Sequence, residues 1–365
     1  MVQRGLKGVV AVETAIASVD GEKGELRYRG LLLKKVMEKH TFEAVAAFLW
    51  GIDEQSVARL LHEGRQFGAH HLTLLHHLPK DLTIIDQVRT VISSTGTPEL
   101  LGRTLKEQAV LVTGALSVIA AAAYRIQKGQ EAVTPSPELT HVANYLYMVS
   151  GEQPTASAVT ALETYLIATM EHGMNASTFA ARVTVSSESD LPSGLVSALG
   201  TMKGPLHGGA PSGVLALLDE IALADSVEDV VMKKLQAGER IMGFGHRVYK
   251  TEDPRSLVLR AACEKLSGEE SWLHLAVRAE IEIIRLLELH KPGRRLYTNV
   301  EYYAAAIMKS IDLPSELFTP TFSVARAVGW TAHMVEQLGD NVIFRPESLY
   351  VPVAKDFCTI KKGMV

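Results

Sequence analysis

Apolar residues recur at helical spacing along most of the chain. Residues 41–50 (Thr-Phe-Glu-Ala-Val-Ala-Ala-Phe-Leu-Trp) show this pattern, with Thr41 placed to cap the first turn and Gly51 to end the helix. Similar periods predict helices over 157–170, 212–222, 256–266, 273–289, 301–310 and 321–338. The most apolar run, 110–124, contains polar and glycine residues and is shorter than the ~20 residues that a membrane span needs. We therefore predict that it is a buried helix.

One small β element is predicted ahead of these helices. Residues 9–19 alternate roughly between apolar and polar, Asp20-Gly21 is a hairpin signal, and residues 24–30 form the returning strand. The chain has no repeat and no alternation of strands with helices of the kind that builds a parallel sheet. Its pattern indicates an all-α enzyme with a short N-terminal β-hairpin.

Composition limits the classes of partner. The chain has 365 residues, 47% hydrophobic and 21% charged, which is ordinary for a soluble enzyme and long enough for two domains. Its net charge of -4 gives no global attraction to nucleic acid or to anionic lipid. We predict no nucleic-acid partner and no membrane partner, so any anionic ligand must be bound by a local cluster of basic side chains.

Cysteine usage indicates a reducing compartment. Cys263 and Cys358 are the only cysteines, and two residues neither build a disulfide framework nor supply metal-ligand spacing. The N-terminus lacks the apolar core of a signal peptide. We expect a cytoplasmic protein without a metal site.

Two histidines stand between glycines. His207 lies in Gly-Pro-Leu-His-Gly-Gly-Ala (204–210) and His246 lies in Gly-Phe-Gly-His-Arg-Val-Tyr (243–249). Neighbouring glycines let a ligand or a second backbone approach an imidazole closely. The pair indicates acid–base chemistry on a small charged substrate, although either histidine alone is equally consistent with a plain turn.

The segment after His207 predicts its charge state. Pro211 is placed as the first residue of a helix, so His207 would precede the positive end of that helix, which disfavours an imidazolium. We expect a neutral His207 that donates a hydrogen bond to a carbonyl. The alternative is a histidine that caps the helix by binding backbone N–H groups.

Basic residues lie near the second histidine and in a later helix. Asp253-Pro254-Arg255 predicts a capped helix start at which Arg255 binds a carboxylate. Arg326 interrupts an otherwise apolar helix, and a buried guanidinium needs a partner carboxylate from protein or substrate. The loop residues that add charge suited to phosphates are Arg247 and Lys250. For Arg247, Lys250 or Arg255 taken alone, the alternative is a solvated surface charge. The apolar surroundings of Arg326 argue against this alternative there.

These motifs form a collinear series that resembles the signature blocks of the citrate synthase family. The blocks are 171–178 (EHGMNAST), 203–210 (KGPLHGGA), 243–255 (GFGHRVYKTEDPR), 299–301 (NVE) and 318–330 (FTPTFSVARAVGW), preceded by 5–8 and 28–30. Such a series is far more specific than any one short motif. The resemblance runs nearly end to end, with the spacing of the shorter bacterial form.

The resemblance implies catalytic roles for three residues. In that family the histidine matching His207 polarises the thioester carbonyl of acetyl-CoA, and the acid matching Glu301 removes a methyl proton. The histidine matching His246 protonates the carbonyl oxygen of oxaloacetate as carbon attacks carbon. Hydrolysis of citryl-CoA then yields citrate and CoA, so the expected enzyme is an acyltransferase of the citrate synthase type.

The resemblance also implies how the substrates bind. The residues matching the family's oxaloacetate ligands are His172, Arg255, Arg326 and Arg345, the last reaching in from the second subunit of a homodimer. The residues expected against CoA are Gly245, Arg247 and Lys250. Acetyl-CoA is then a co-substrate, and no permanently bound cofactor is implied.

The family's fold is almost entirely helical, with a large domain and a smaller one that closes over the substrates. In this chain the large domain, which forms the dimer, would comprise residues 1–211 and 316–365, and the small domain residues 212–315. That division puts His246 and Glu301 on the moving part, so closure would assemble the site and exclude water.

One departure from the family pattern concerns the base itself. Most members carry aspartate where this chain has Glu301. One extra methylene moves the carboxylate by about an ångström, and a misplacement of that size can cost about a hundredfold in rate. A minority of bacilli-like members carry the same glutamate, and we expect this chain to belong with them. Glu171 for aspartate, and Tyr350-Val-Pro without a following glycine, are smaller departures.

Two other functions stay open. A 2-methylcitrate synthase shares these motifs and differs in accepting propionyl-CoA, and one methylene in a pocket is worth only about 1–3 kcal/mol. The other is a regulator that binds CoA or a dicarboxylate and has lost turnover because Glu301 misaligns the base.

Overall fold

A computed structural model of the chain describes residues 2–6, 8–38, 41–207, 212–246, 248–266 and 272–351, with Ser212 described by its backbone alone. Helices account for most of these residues, which confirms the predicted all-α class.

The N-terminal strands form a three-stranded antiparallel sheet. β1 (Ala17–Asp20) pairs with β2 (Glu25–Tyr28), and β2 pairs with β3 (Leu31–Leu32). Asp20 is opposite Glu25, so the turn has four residues, 21–24. The predicted hairpin is confirmed. Its first strand is shorter than the alternating pattern suggested. The last contact is from the Arg29 N–H to the Ile16 carbonyl at 2.9 Å, and the chain leaves the extended conformation at Arg29, which has a φ of 43°.

Sixteen helices follow among the residues that the structure describes. The first eight are α1 (Leu33–Val36), α2 (Phe42–Trp50), α3 (Glu54–Ala69), α4 (Ile84–Ser93), α5 (Pro98–Leu101), α6 (Leu105–Gln127), α7 (His141–Ser150) and α8 (Ala156–Thr169). The others are α9 (Ala176–Ser186), α10 (Leu191–Met202), α11 (Ser212–Leu223), α12 (Val227–Gln236), α13 (Pro254–Leu266), α14 (Trp272–His290), α15 (Val300–Ser310) and α16 (Phe318–Gly339).

Local sequence explains where these helices begin and end. Thr41 caps α2 by accepting the Ala44 N–H, and Gly51 ends the helix with a φ of 65°, as predicted. α6 begins with a capping box in which Thr104 and Glu107 exchange hydrogen bonds. The other helices predicted from periodicity are confirmed, with ends shifted by a few residues, as α8, α11, α13, α14, α15 and α16.

The long helix α6 is the centre of the core. It contains the apolar run 110–124, which is buried as predicted. By length and composition α6 could cross a membrane, but 83% of its most apolar window is buried inside the protein. α3 packs against it so closely that a Cβ on Gly64 would lie 2.4 Å from the Leu111 carbonyl oxygen. These contacts are those of a core helix.

Two groups of helices meet along α8. In the first group, α13, α14 and α15 pack on one another, with α11 on α15 and α12 on α14. In the second group, α16 packs on α8 and α9. α13 and α15 also contact α8, so the first group joins the second along this helix.

Candidate active site

A cavity of about 440 Å³ lies at this junction. Its lining includes seven of the residues that the sequence singled out, namely His172, His207, Gly245, His246, Arg255, Glu301 and Arg326. The structure therefore gathers around one space three imidazoles, one carboxyl and two guanidinium groups that are far apart in the chain.

The His246 imidazole is held by its own loop. Its Nδ1 accepts the backbone N–H groups of Val248 and Tyr249, both at 3.0 Å. A nitrogen that accepts carries no proton, so this geometry assigns the proton of the neutral imidazole to Nε2. Burial, with nearby Arg255 as the second cause, lowers the pKa of His246 to about 4. The ring is therefore a neutral N–H donor at pH 7.

Asp253 organises the start of α13. One of its oxygens accepts the backbone N–H of Arg255 at 3.0 Å, which is the predicted cap. The same carboxylate binds the Arg255 guanidinium through Nε at 3.0 Å and Nη2 at 2.7 Å. Nη2 also lies 3.2 Å from Nε2 of His246. Because Asp253 occupies one edge of the guanidinium, a second carboxylate must bind at another edge.

Residues 297–299, just before α15, pair with residues 243–245, just before the loop that carries His246 and residues 248–251. We call this loop the histidine loop. The Gly245 N–H donates to the Tyr297 carbonyl at 2.7 Å, and the Asn299 N–H donates to the Gly243 carbonyl at 2.8 Å. The Asn299 side chain caps α15 by accepting the Glu301 N–H at 3.0 Å and donates to the Gly245 carbonyl at 3.1 Å. We call this pairing the 243–245/297–299 bridge. It fixes the start of α15 against the histidine loop.

Glu301 occupies the first turn of α15. Burial raises the pKa of its carboxyl, and Arg255 opposes this in part. A raised pKa lies closer to neutral pH and makes the carboxylate a stronger proton acceptor, which suits a general base. Its place in the cavity lining and its raised pKa agree with the predicted role of Glu301 as the base.

His207 contacts a serine that is itself held by a tryptophan. Its Nε2 lies 2.8 Å from Ser177 Oγ, which also accepts the Trp330 indole N–H at 3.0 Å. Ser177 Oγ also donates to Asn175 Oδ1 at 2.8 Å, an oxygen that accepts two backbone N–H groups as well. A serine hydroxyl has one hydrogen, so donation to His207 Nε2 requires that this hydrogen turn away from Asn175. When the serine hydroxyl donates to Nε2, the single proton of the neutral imidazole resides on Nδ1.

Burial, and then Arg326, lowers the pKa of His207 to about 4. The neutral imidazole agrees with the sequence-based expectation. The helix start predicted at Pro211 lies outside the described residues, and the described part of α11 begins at Ser212.

His172 connects the two histidine-bearing parts of the cavity. Its Nε2 is 3.0 Å from the Tyr249 hydroxyl, and its ring centroid is 5.9 Å from that of His246. Burial first, and Arg255 second, hold the pKa of His172 well below its usual range. The preceding Glu171 pairs instead with Nε2 of His333 at 3.2 Å in the core, with both side chains fully buried.

Arg326 brings a poorly satisfied cation to the cavity. The side chain is 2% exposed. Its Nε donates to the Thr169 carbonyl at 2.7 Å, and the Phe322 ring lies 4.8 Å from the guanidinium carbon. Its Nη2 is buried and has no hydrogen-bond partner among the described residues. An unpaired, buried guanidinium N–H group is satisfied when an anionic ligand accepts its hydrogen bond.

The other predicted site residues are not part of the cavity lining. Arg345 follows α16 in a segment without regular secondary structure, and it is exposed. Lys250 is also exposed. Arg247 lies outside the described residues. Across the described ranges, no three His, Cys, Asp or Glu side chains form a group that could hold a metal ion.

The hairpin turn packs on the histidine loop. The Lys250 N–H donates to the Gly21 carbonyl at 2.8 Å. A Cβ on Gly21 would lie 2.3 Å from the Val248 carbonyl oxygen, and one on Gly24 would lie 2.4 Å from Thr251 Oγ1. Only glycine permits so close an approach without a shift of the backbone. The histidine loop is therefore held between the hairpin and the 243–245/297–299 bridge.

Sequence reasoning missed several residues that orient the site. Ser177 and Tyr249 lie within the motifs used above, but neither was assigned a contact with a histidine. Trp330 was also missed, and Asp253 was expected only to cap a helix. The Asn-Ala-Ser spacing at 175–177 is a signal for a helix cap. It contains no signal for a histidine 30 residues further along the chain.

Comparisons with known proteins agree on one family. A model described as citrate synthase, C-terminal domain, matches residues 5–347. A curated relative, the citrate/2-methylcitrate synthase of Bacillus subtilis, is 36% identical and is aligned over 95% of both chains. The solved citrate synthase of Thermotoga maritima is 38% identical with a TM-score of 0.84, covering 98% of this chain and 97% of that one. The Thermoplasma acidophilum citrate synthase, solved as a ternary complex with carboxymethyl coenzyme A and oxaloacetate, is 27% identical with a TM-score of 0.86 over 98% and 97%.

We predict that mild acid destabilises the protein in the range where histidines titrate. The histidines whose pKa lies below the ordinary 6.5 are His71, His141, His172, His207 and His246. As the pH falls through 6.5, the unfolded chain takes up protons at these groups and the folded chain does not, so stability present above that pH is lost toward pH 4. The raised pKa values of Glu163 and Glu301 act in the opposite direction, but they are fewer.

The measurement is urea unfolding at several pH values between about 7 and about 5.5. We expect the free energy of unfolding to fall by about 1 kcal/mol per histidine for each pH unit below 6.5. The His246→Gln variant should show a shallower loss. A midpoint independent of pH over this range contradicts the prediction.

Proposed function

This chain belongs to the citrate synthase family, and from that premise we propose that it condenses acetyl-CoA with oxaloacetate and water to give citrate and CoA. The observation that carries the proposal is the cavity that gathers a carboxyl of raised pKa, neutral imidazoles and two guanidinium groups. A base, proton donors and cations for a dicarboxylate are the groups that this condensation requires.

In the proposed first step, Glu301 removes a methyl proton from acetyl-CoA. His207 donates its Nδ1–H to the thioester carbonyl oxygen, on which negative charge develops as the proton leaves. Ser177 holds the ring through Nε2, so Nδ1 is the nitrogen available for this contact. A neutral imidazole suits the role, because its pKa of about 4 keeps it uncharged at pH 7.

In the second step, the methyl carbon of acetyl-CoA attacks the carbonyl carbon of oxaloacetate. The carbonyl oxygen receives the Nε2 proton of His246 and becomes a hydroxyl group. Arg255 and Arg326 neutralise the carboxylates of oxaloacetate, and His172 adds a hydrogen bond. In the hydrolysis of the citryl-CoA thioester, deprotonated His246 takes a proton from water as the water oxygen attacks the thioester carbonyl carbon. The carbon–sulfur bond then breaks, and protonated Glu301 returns its proton to the leaving CoA thiolate, which releases citrate and CoA.

We assign the moving small domain to residues 212–315 and the large domain to residues 1–211 and 316–365. The packing of α11 to α15 on one another supports this division. The small domain would supply His246, Arg255 and Glu301, and CoA would lie against its loop at Gly245 and Lys250. Arg247, which lies outside the described residues, belongs to the same prediction.

We also propose a homodimer in which each subunit's Arg345 completes the site of the other. The exposure of Arg345, and of the apolar residues beside it such as Val342, Ile343 and Leu349, supports a partner surface at this segment. Acetyl-CoA is a co-substrate, and the proposed chemistry requires no resident cofactor. A cytoplasmic location remains a prediction from the cysteine usage.

The first experiment compares acyl-CoA substrates. Purified protein is mixed with oxaloacetate and either acetyl-CoA or propionyl-CoA, and free CoA thiol is followed. We expect thiol release to be faster with acetyl-CoA. The Bacillus subtilis relative named citrate/2-methylcitrate synthase is the reason to test propionyl-CoA. A preference for propionyl-CoA would support that second activity, whereas ligand-dependent melting without thiol release would support a regulator.

The role of Glu301 predicts opposite results for two replacements. Glu301→Gln removes the base while keeping the shape, so kcat should fall by at least about 100-fold, with oxaloacetate still raising the melting temperature. Glu301→Asp restores the residue usual in the family, and thiol release should persist and rise. Loss of thiol release in the aspartate variant contradicts this placement of the base.

The dimer proposal predicts complementation between two inactive variants. In a mixed dimer of Arg345→Ala and Glu301→Gln subunits, one site keeps both native residues if Arg345 acts across the interface. Mixing equal amounts after dissociation should then restore about a quarter of wild-type activity by random reassortment of two subunits. If Arg345 acts within its own subunit, neither site is complete and no activity returns.

A further inference from the structure

A buried carboxylate outside the cavity lining accepts two hydrogen bonds from the segment that carries the proposed base. Glu280 lies on α14 and is 4% exposed. Its Oε1 accepts the Thr298 hydroxyl at 2.5 Å, and its Oε2 accepts the Tyr303 hydroxyl at 2.5 Å. Arg260 from α13 lies 3.2 Å from the same Oε2 and balances its charge. Hydrogen bonds from hydroxyl groups to an ionised carboxylate are short and strong.

The two hydroxyl donors stand on either side of Glu301. Thr298 precedes the cap residue of α15, and Tyr303 lies in the first turns of the helix. One carboxylate therefore fixes both ends of the six-residue stretch that contains the base. Tyr302 adds a third link to α14 by donating to the Ala276 carbonyl at 2.8 Å.

The same contact reaches the histidine loop. Thr298 pairs with Phe244 in the 243–245/297–299 bridge. A shift of Thr298 would consequently move the start of α15 and the backbone just before His246 together. Because Glu301 has one more rotatable bond than the aspartate usual in the family, its carboxylate depends more strongly on a fixed backbone.

We propose that Glu280 is a positioning residue that sets the Glu301 carboxylate for proton removal, acting through Thr298 and Tyr303 without touching substrate. This inference rests on the proposed function, because it assigns Glu301 as the base. Its effect falls on the deprotonation step, because the His246 ring is held separately by the N–H groups of Val248 and Tyr249. Oxaloacetate binding stays unchanged, since Arg255 and Arg326 are held by other groups.

The test is the Glu280→Gln variant of the full chain. Its amide keeps one acceptor oxygen and loses the other, together with the charge that pairs with Arg260. We expect kcat for acetyl-CoA to fall by about 10- to 100-fold, which is the range for a displaced reacting group. The KM for oxaloacetate, and the melting shift that oxaloacetate produces, should stay within about twofold of wild type.

The isotope effect separates positioning from general damage. With acetyl-CoA deuterated at the methyl group, slower proton removal makes this step more rate-limiting, so the isotope effect on kcat should be larger in Glu280→Gln than in wild type. The matched control is Glu282→Gln on the same helix, where the glutamate is partly exposed and pairs with Arg285. That control should retain wild-type kinetics.

Tyr303→Phe provides an independent test if Glu280→Gln does not fold. It removes one hydrogen bond and should lower kcat less than Glu280→Gln, again with an enlarged isotope effect. Unchanged kcat in a folded Glu280→Gln protein overturns the proposal, as does a lower kcat with an unchanged isotope effect. Absence of condensation in wild type would instead refute the proposed function itself, and the inference with it.

Discussion

The 243–245/297–299 bridge is the contact on which the geometry of the cavity depends. Its backbone hydrogen bonds hold the two segments together. Gly243 and Gly245 make this pairing possible, because both have a φ of 87° and a Cβ on Gly243 would lie 2.9 Å from the Tyr302 ring. One segment leads into the His246 loop and the other into the first turn of α15. The proposed acid and the proposed base are therefore tied to one short piece of paired backbone, although they lie far apart in the chain.

The two cations of the cavity differ in how they are neutralised. Arg255 is engaged by Asp253, whereas Nη2 of Arg326 has no partner among the described residues. Both guanidinium groups also contribute to the lowered pKa of His172. Burial first, and the positive charge of the cavity second, keep this imidazole neutral, and the same positive charge favours an anion. A dicarboxylate satisfies the cations without requiring any histidine to be charged.

Local signals in the sequence predict the elements and the main chemical groups, but not how those groups are held. Thr41 and Gly51 determine the ends of α2 through contacts within a few residues, and the glycine-flanked histidines are recognisable for the same reason. Glu280 and Ser177 act on partners that only the fold brings near. Asp253 and Arg255 differ from both groups. The sequence predicts Asp253 only as a helix cap and Arg255 as a ligand for a substrate carboxylate, but Asp253 also binds the Arg255 guanidinium.

The N-terminal hairpin contacts both groups of helices, which constrains any closing motion. The Tyr28 hydroxyl accepts the Glu171 N–H at 3.1 Å beside α8, while the Gly21 carbonyl accepts the Lys250 N–H on the histidine loop. Opening the cavity by moving α11 to α15 would break the second contact and leave the first intact. Since a side chain at Gly21 would collide with the Val248 carbonyl, the close approach depends on glycine there. The hairpin is consequently the surface on which the histidine loop packs.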